Sequence, residues 1–148
     1  MKYLLMLGLF FTVGHTALHA QLRAIPQEVK EAFSRQYPQA EAVRYEDKLI
    51  YVNVYFKKDG SSACARYSSK GAWQFTETGM AFTGLPASVQ DGFNKSKYLD
   101  WKVDHSFRVD LPGGKHQYKL QVEKNAVAKR NLLFSDRGRL LSDNLTMY

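Results

Sequence analysis

The sequence predicts an α+β fold in which a helix followed by four antiparallel strands occurs twice in tandem. Two duplicated motifs carry this prediction. The segment 25–33, which holds an apolar residue, Pro, Val and Phe at fixed spacing, returns sixty positions later as 85–93, and the turn segment 67–71 returns 67 positions later as 134–138. One such unit alone would bury little apolar surface. We therefore expect the two units to join into one roughly eight-stranded antiparallel sheet with the helices on one face. The two predicted repeats span about residues 24–78 and 84–146.

Residues 1–20 have the pattern of a signal peptide. Lys2 supplies a positive start, an apolar run follows, and small residues lead to a predicted cut after Ala20. The apolar run is short for an uncleaved anchor, and no later stretch is long enough to span a bilayer. The sequence therefore predicts a single mature domain, residues 21–148, located in the periplasm or secreted.

The charge of the chain narrows the choice of partner. The full sequence has 21 Lys and Arg against 14 Asp and Glu, and removal of 1–20 takes away Lys2 alone. The remaining positive charge suits an acidic protein or an anionic envelope surface, although it can also serve solubility alone. It is spread along the chain without a block of like charges, which disfavours nucleic acid as a partner.

Cys64 is the single cysteine, so an intrachain disulfide and a cysteine-based zinc site are both excluded. It stands between two alanines in a predicted strand. We interpret it as a small residue of the sheet and not as a reactive thiol.

The first repeat reads as a helix and four strands. Pro26 stands where a helix begins, apolar residues follow at spacings of three and four, and Pro38 stops the helix. Turn residues at 58–60 and at 70–71 separate runs rich in β-branched and aromatic residues. The predicted strands are 42–46, 49–57, 62–69 and 72–78, followed by a linker at 79–84.

The second repeat follows the same order. Pro86 opens its helix, which carries an apolar stripe from Val89 to Tyr98. Strict alternation in 101–109 predicts a half-buried strand whose apolar residues share one face, namely Trp101, Val103, Phe107 and Val109. The remaining predicted strands are 118–123, 126–135 and 139–145, with turns at 111–114 and 136–138.

The strand 49–56 is apolar or aromatic on both faces, so its register must be chosen. If the second repeat is aligned on the first so that 118–122 matches 52–56, the offset is 66 and Val52, Val54 and Phe56 point to the core. The glycine turns instead give an offset of 67, which would point these three residues to the opposite face. We prefer the first register because it buries three apolar residues. This register places Tyr, Trp and Arg side chains, the types typical of binding hot spots, on the open face of the sheet. The candidate partner-binding residues are Tyr51, Asn53, Tyr55, Arg66 and Trp73. The alternative is that the tyrosines only pack against cross-strand neighbours.

No catalytic constellation is visible in the sequence. No Ser lies in a nucleophile elbow, and the Gly pair at 113–114 lacks a following helix and a Lys-Ser/Thr. His105 and His116 flank that turn and could meet near Asp104 or Asp110, but two surface histidines are the better interpretation. We therefore predict neither an enzyme nor a cofactor or metal site.

Short motifs in a fixed order resemble a known family. They are the Ile-Pro helix that ends in Tyr-Pro, the hairpin 51–60, the Tyr-Ser-Ser-Lys-Gly-Ala-Trp turn and the second Leu-Pro block. Together they resemble the PepSY-like, beta-lactamase-inhibitor-like (BLIP-like) family of exported Bacteroidetes proteins. The resemblance covers about 25–145. It implies tandem helix-plus-four-strand units, a periplasmic or secreted location and no known cofactor.

Two classes of function remain open. The first is a non-enzymatic binding or inhibitor-like module that docks an envelope or secreted protein on the open sheet face. The second is a small-ligand or lipid-binding protein with a cleft between sheet and linker, walled by Trp73, Phe75, Met80 and Phe82. Charged residues near the two edge strands favour a monomer.

Overall fold

A computed structural model describes residues 23–145 as an α+β fold with one eight-stranded sheet and two helices. The predicted signal peptide, 1–20, lies outside the described residues. The strands follow one another across the sheet in chain order, and each is antiparallel to its neighbour. The elements are α1 (Gln27–Gln36), β1 (Glu41–Asp47), β2 (Tyr51–Lys58), β3 (Ser61–Ser68), β4 (Trp73–Met80), α2 (Ala87–Asn94), β5 (Lys102–Leu111), β6 (Lys115–Glu123), β7 (Lys129–Ser135) and β8 (Leu140–Leu145).

The fold class and the single antiparallel sheet were predicted correctly. Strand β4 runs to Met80, so the predicted linker 79–84 is shorter than expected and holds a 3-10 turn, Phe82–Gly84. Helix α2 ends at Asn94, and Tyr98 lies beyond it in a turn. The element order places one helix before β1–β4 and one before β5–β8. The tandem repeat itself stays a prediction. Neither helix has the length and apolar character needed to cross a bilayer.

Both helices begin after a proline, as the sequence predicts. The first N–H groups of a helix have no hydrogen-bond partner inside it. A proline there therefore loses no hydrogen bond by lacking an N–H, and its ring holds φ near the helical value. The carbonyls of Pro26 and Pro86 accept hydrogen bonds from the N–H groups of Val29 (3.2 Å) and Val89 (2.9 Å). Each helix buries a Val and a Phe four residues apart against the sheet: Val29 with Phe33, and Val89 with Phe93.

The core consists of two clusters on the helix face, one below each helix. Val52, Val54 and Phe56 are buried below α1, which confirms the register preferred from the sequence. The cluster below α1 comprises Val29, Phe33, Val52, Val54, Phe56, Ala63, Ala65 and Tyr67. The cluster below α2 comprises Leu85, Val89, Phe93, Tyr98, Leu120, Val122, Leu132 and Phe134.

Strand β5 does not keep its apolar residues on one face, so that prediction is wrong. Its pairing with β6 shifts between Val103 and His105, which is a β-bulge. Trp101 and Val103 pack in the cluster below α2. Phe107 and Val109 lie on the other face, because one inserted residue reverses the side to which the following residues point.

Beyond the bulge, Ser106 takes the core side of β5. It pairs with Leu120 of the α2 cluster, and its hydroxyl donates to the carbonyl of Met80 at 2.6 Å. The hydrogen bond satisfies a hydroxyl that would otherwise be costly to bury.

The duplicated glycine turns hold the two helices against the sheet. Gly71 and Gly138 both have positive φ, at 80° and 77°. A Cβ on Gly71 would lie 2.7 Å from the carbonyl oxygen of Glu28, and one on Gly138 would lie 1.9 Å from that of Ser88. Each hairpin turn therefore approaches its helix as closely as a bare glycine allows.

Candidate functional site

The open face of the sheet carries four of the five predicted binding residues. Tyr51, Asn53 and Tyr55 alternate on β2 with the core residues, and Asn53 pairs directly with Arg66 of β3. Both helices pack on the opposite face. These four side chains therefore lie on the sheet face that α1 and α2 leave open.

Arg66 is the centre of this surface. Its guanidinium carbon lies 3.9 Å from the centre of the Tyr51 ring and 4.8 Å from the centre of the Phe75 ring. Its Nε donates to the Oδ1 of Asn53 at 3.0 Å. Asn53 is only 6% exposed, so the acceptor is itself held in place. Two aromatic rings and one buried amide thus form a clamp that fixes the guanidinium.

Tyr55 continues the polar network toward β1. Its hydroxyl donates to Glu46 at 2.9 Å, and the guanidinium carbon of Arg44 lies 4.3 Å from its ring centre. Hydrogen bonds from Lys48, and then from Tyr55, lower the pKa of the Glu46 carboxyl. Burial, followed by the hydrogen bond to Glu46, raises the pKa of Tyr55. At neutral pH the network therefore contains a carboxylate and a neutral phenol.

Trp73 does not belong to this surface, and its assignment there is corrected. The pairing of β3 with β4 shifts between Arg66 and Tyr67, which places Trp73 opposite Tyr67 on the helix face. Trp73 packs against the cluster below α1, and its indole N–H donates to Thr76 at 2.9 Å. The bulge reverses the face to which Trp73 points, and Phe75 is the residue of β4 that lies beside Arg66 on the open face.

An apolar groove crosses the open face on the far side of Phe75. It has a volume of about 240 Å³ and extends from β4 to β8. Val109 lies in it and is only 5% exposed, although α1 and α2 both pack on the opposite face. The Oδ1 of Asn131, also in the groove, is buried without a hydrogen-bond partner among the described residues. The apolar residues of the groove on this face are Phe75, Val109, Leu111 and Leu133.

Sequence reasoning missed the groove because it assigned Phe107 and Val109 to the core. On the open face Phe107 stacks with Lys119, whose ammonium lies 4.6 Å from the ring centre and pairs with Glu77. The missing signal was the bulge in β5, which local sequence does not mark.

The predicted ligand cleft with four apolar walls is not present. Trp73 and Phe75 lie on opposite faces of β4. Met80 and Phe82 pack against the cluster below α2, where the rings of Phe82 and Phe93 are 5.6 Å apart. The four side chains therefore do not enclose one space.

The two histidines lie in separate contacts along the β5–β6 hairpin. The Nδ1 of His105 is 3.1 Å from Asp104, and its ring stacks on Phe107. The Nδ1 of His116 is 2.8 Å from Asp110. Within residues 23–145, no group of three or more potential ligands is arranged to hold a metal ion.

Cys64 lies on the open face opposite Tyr55. Burial, and then the charge of Glu77, raises the pKa of its thiol to about 11 from an ordinary value of 9.0. At pH 8 the thiolate fraction should therefore be about 100-fold lower in the folded chain than in the unfolded one. We expect alkylation by iodoacetamide to be clearly slower in native protein than in guanidinium chloride, because the greater nucleophilicity of a more basic thiolate offsets only part of that loss. Similar rates in both conditions would contradict the burial of this thiol.

An antiparallel sheet with helices packed on one face, and aromatic and Arg side chains on the other, defines an α+β protein with an open sheet face. The sequence profile of the beta-lactamase-inhibitor-like, PepSY-like family matches residues 50–142, and the chain belongs to this family. The family is named for inhibitor-like proteins and is not a known enzyme family. No curated protein matches the chain significantly.

Solved structures from Bacteroides have the same fold. A BLIP-like protein from Bacteroides fragilis is 27% identical, with 84% of this chain and 88% of that chain covered and a TM-score of 0.72. A DUF2874 family protein from Bacteroides ovatus is 24% identical over 82% of this chain and 88% of that chain, with a TM-score of 0.74. A protein from Bacteroides eggerthii, provisionally described as periplasmic, is 23% identical over 82% and 89%, with a TM-score of 0.74.

Proposed function

We propose that the mature chain is an exported, non-enzymatic binding module that docks a protein partner on the open face of its sheet. The observation that carries the proposal is Arg66, fixed between Tyr51 and Phe75 on a face that neither helix covers. Tyr and Arg are the residue types that dominate binding energy in protein interfaces when a partner desolvates them. The module acts by covering its partner and anchoring it through these side chains.

Three further observations support this proposal. The family is described as inhibitor-like, which suits a protein that works by docking. A structural neighbour carries a periplasmic description, which agrees with the signal-peptide pattern of 1–20. Charged residues line both edge strands, for example Arg44 in β1 and Asp143 in β8, and they favour a monomer over edge-to-edge pairing.

The proposal is tested with the partner captured by cross-linking in the native periplasm. Tyr51→Ala and Tyr55→Ala are each expected to weaken the purified complex by about tenfold or more, because each removes an aromatic anchor. The melting temperature should change little, since both side chains lie outside the core clusters. Binding is measured by titration calorimetry and melting by calorimetric scanning.

Tyr118→Ala provides the matched control. This tyrosine packs on the helix face against the cluster below α2, so its removal should lower the melting temperature and leave the affinity of the folded fraction unchanged. If Tyr51→Ala and Tyr55→Ala lose stability as Tyr118→Ala does, and affinity only in proportion, the two tyrosines are structural and the docking face is wrong.

A further inference from the structure

We propose that Arg66 is a receptor for a carboxylate of the partner. The partner would lay an extended segment on the open face, with an Asp or Glu carboxylate on the Arg66 guanidinium and a neighbouring apolar side chain in the groove beside Phe75. This inference rests on the proposed function, since it assigns the chemistry of the segment that docks there.

The guanidinium of Arg66 has unused donors in a fixed position. An Arg side chain has five N–H donors, and only the Nε–H of Arg66 is used, by Asn53. Neither Nη atom has a hydrogen-bond or ion-pair partner in the described part of the chain. A planar guanidinium held between the rings of Tyr51 and Phe75 loses little further freedom on binding. Such a group is suited to two parallel hydrogen bonds with a carboxylate.

The nearby carboxylates of the chain are already occupied. Glu46 accepts from Tyr55 and pairs with Lys48, and Glu77 pairs with Lys119. Arg44 stacks on Tyr55 and, like Arg66, forms no ion pair with any residue of 23–145. The β1–β3 part of the open face thus offers two Arg charges without internal neutralisation. Charge complementarity therefore favours an acidic segment over a basic or neutral one.

The groove supplies the second half of the recognition. Phe75 both stacks on Arg66 and lines the groove, so the charged and apolar parts of the site share one side chain. In an extended segment, residues two positions apart point to the same side and are separated by about 7 Å. Because neighbouring strands lie about 4.8 Å apart, an apolar side chain two residues from the acid reaches the groove next to Phe75. A protein segment with this pattern fits both features at once.

The test uses a random twelve-residue peptide library displayed on phage and selected against the folded full-length mature protein. Selected peptides are expected to contain Asp or Glu with an apolar residue close by. For the tightest peptide, replacing the acid by its amide should weaken binding about tenfold or more, measured by fluorescence polarisation. The Arg66→Gln variant should bind the acidic and amide peptides with equal affinity, because the carboxylate has lost its receptor.

Two protein variants control the result. Arg44→Gln removes an open-face charge that lies outside the clamp, and it should preserve most of the difference between the two peptides. Arg66→Lys keeps the charge but loses the planar fork, and it should give an intermediate difference. The comparison of acid with amide peptide on unaltered protein needs no variant, so a folding defect in Arg66→Gln cannot hide the answer.

The outcomes separate this inference from the proposed function. Selection of no peptide, or of peptides whose affinity is insensitive to the acid, overturns the carboxylate receptor. Hexanoate, a small apolar carboxylate, is titrated against the same protein as a second probe. If hexanoate binds at Arg66 and no peptide binds, the extended-segment proposal is overturned and the site is one for a small carboxylate ligand. If Tyr51→Ala and Tyr55→Ala weaken the captured complex while Arg66→Gln does not, docking on the open face stands and the role of Arg66 fails.

Discussion

Replacing Gly138 by Ala is expected to destabilise the fold by about 4 kcal/mol and to lower the melting temperature by about 15 °C. Gly138 has φ of 77°, where a residue with a Cβ is strained, and the new Cβ would lie 1.9 Å from the carbonyl oxygen of Ser88. Neither the β7–β8 turn nor helix α2 can relieve that overlap without moving backbone. The free energy of unfolding, measured by urea denaturation, checks the prediction.

Gly113→Ala separates the two causes. Gly113 has the same φ of 77°, yet nothing lies within 4 Å of the Cβ position. This variant should therefore lose only the strain of a left-handed backbone, about 1–2 kcal/mol. Equal losses for Gly113→Ala and Gly138→Ala would show that the close approach of turn and helix contributes nothing.

Phe33→Ala is expected to have an effect of similar size, about 4 kcal/mol, in the other half of the fold. Phe33 is buried below α1, where its ring lies 5.0 Å from that of Phe56 and 5.5 Å from that of Tyr37. The rings of Tyr45 and Tyr67 approach its edges and faces as well, at 6.0 and 6.4 Å. Removal leaves a cavity among rigid rings, which cannot collapse to fill it.

The free energy of unfolding of Phe33→Ala is measured by urea denaturation and compared with that of two further variants. Phe33→Leu retains most of the buried volume and should cost about half as much. Phe93→Ala, the matched change in α2, should cost less than Phe33→Ala, because within residues 23–145 the Phe93 ring meets only the ring of Phe82, at 5.6 Å. A loss below about 1.5 kcal/mol for Phe33→Ala would contradict the packing described below α1.

The sequence predicted those parts of the fold that depend on local chemistry. Proline marked the start of both helices, a Val and Phe pair formed each buried stripe, and the glycine turns marked the hairpins that contact them. The burial of three apolar residues was enough to choose the register of β2. The same choice of register placed Tyr51, Tyr55 and Arg66 on the correct face.

The errors in assigning side chains to a face of the sheet have one physical cause. A β-bulge inserts a residue into one strand and reverses every side chain after it, and alternation in the strand itself does not reveal the insertion. The bulge at Arg66 exchanged Trp73 for Phe75 on the open face, and the bulge in β5 moved Phe107 and Val109 there. Contacts between strands decide where such insertions fall. The clamp around Arg66, built from three strands, could not be predicted for the same reason.

The chain-order arrangement of the sheet has a consequence for how the protein folds. Each strand pairs with the one before it in the sequence, so most pairings close short loops and the contact order is low for a sheet of this size. The exception is the β4–β5 pairing, which must enclose α2. During synthesis from the N-terminus, each new strand can therefore pair with the strand made just before it. No strand has to wait for a partner near the C-terminus.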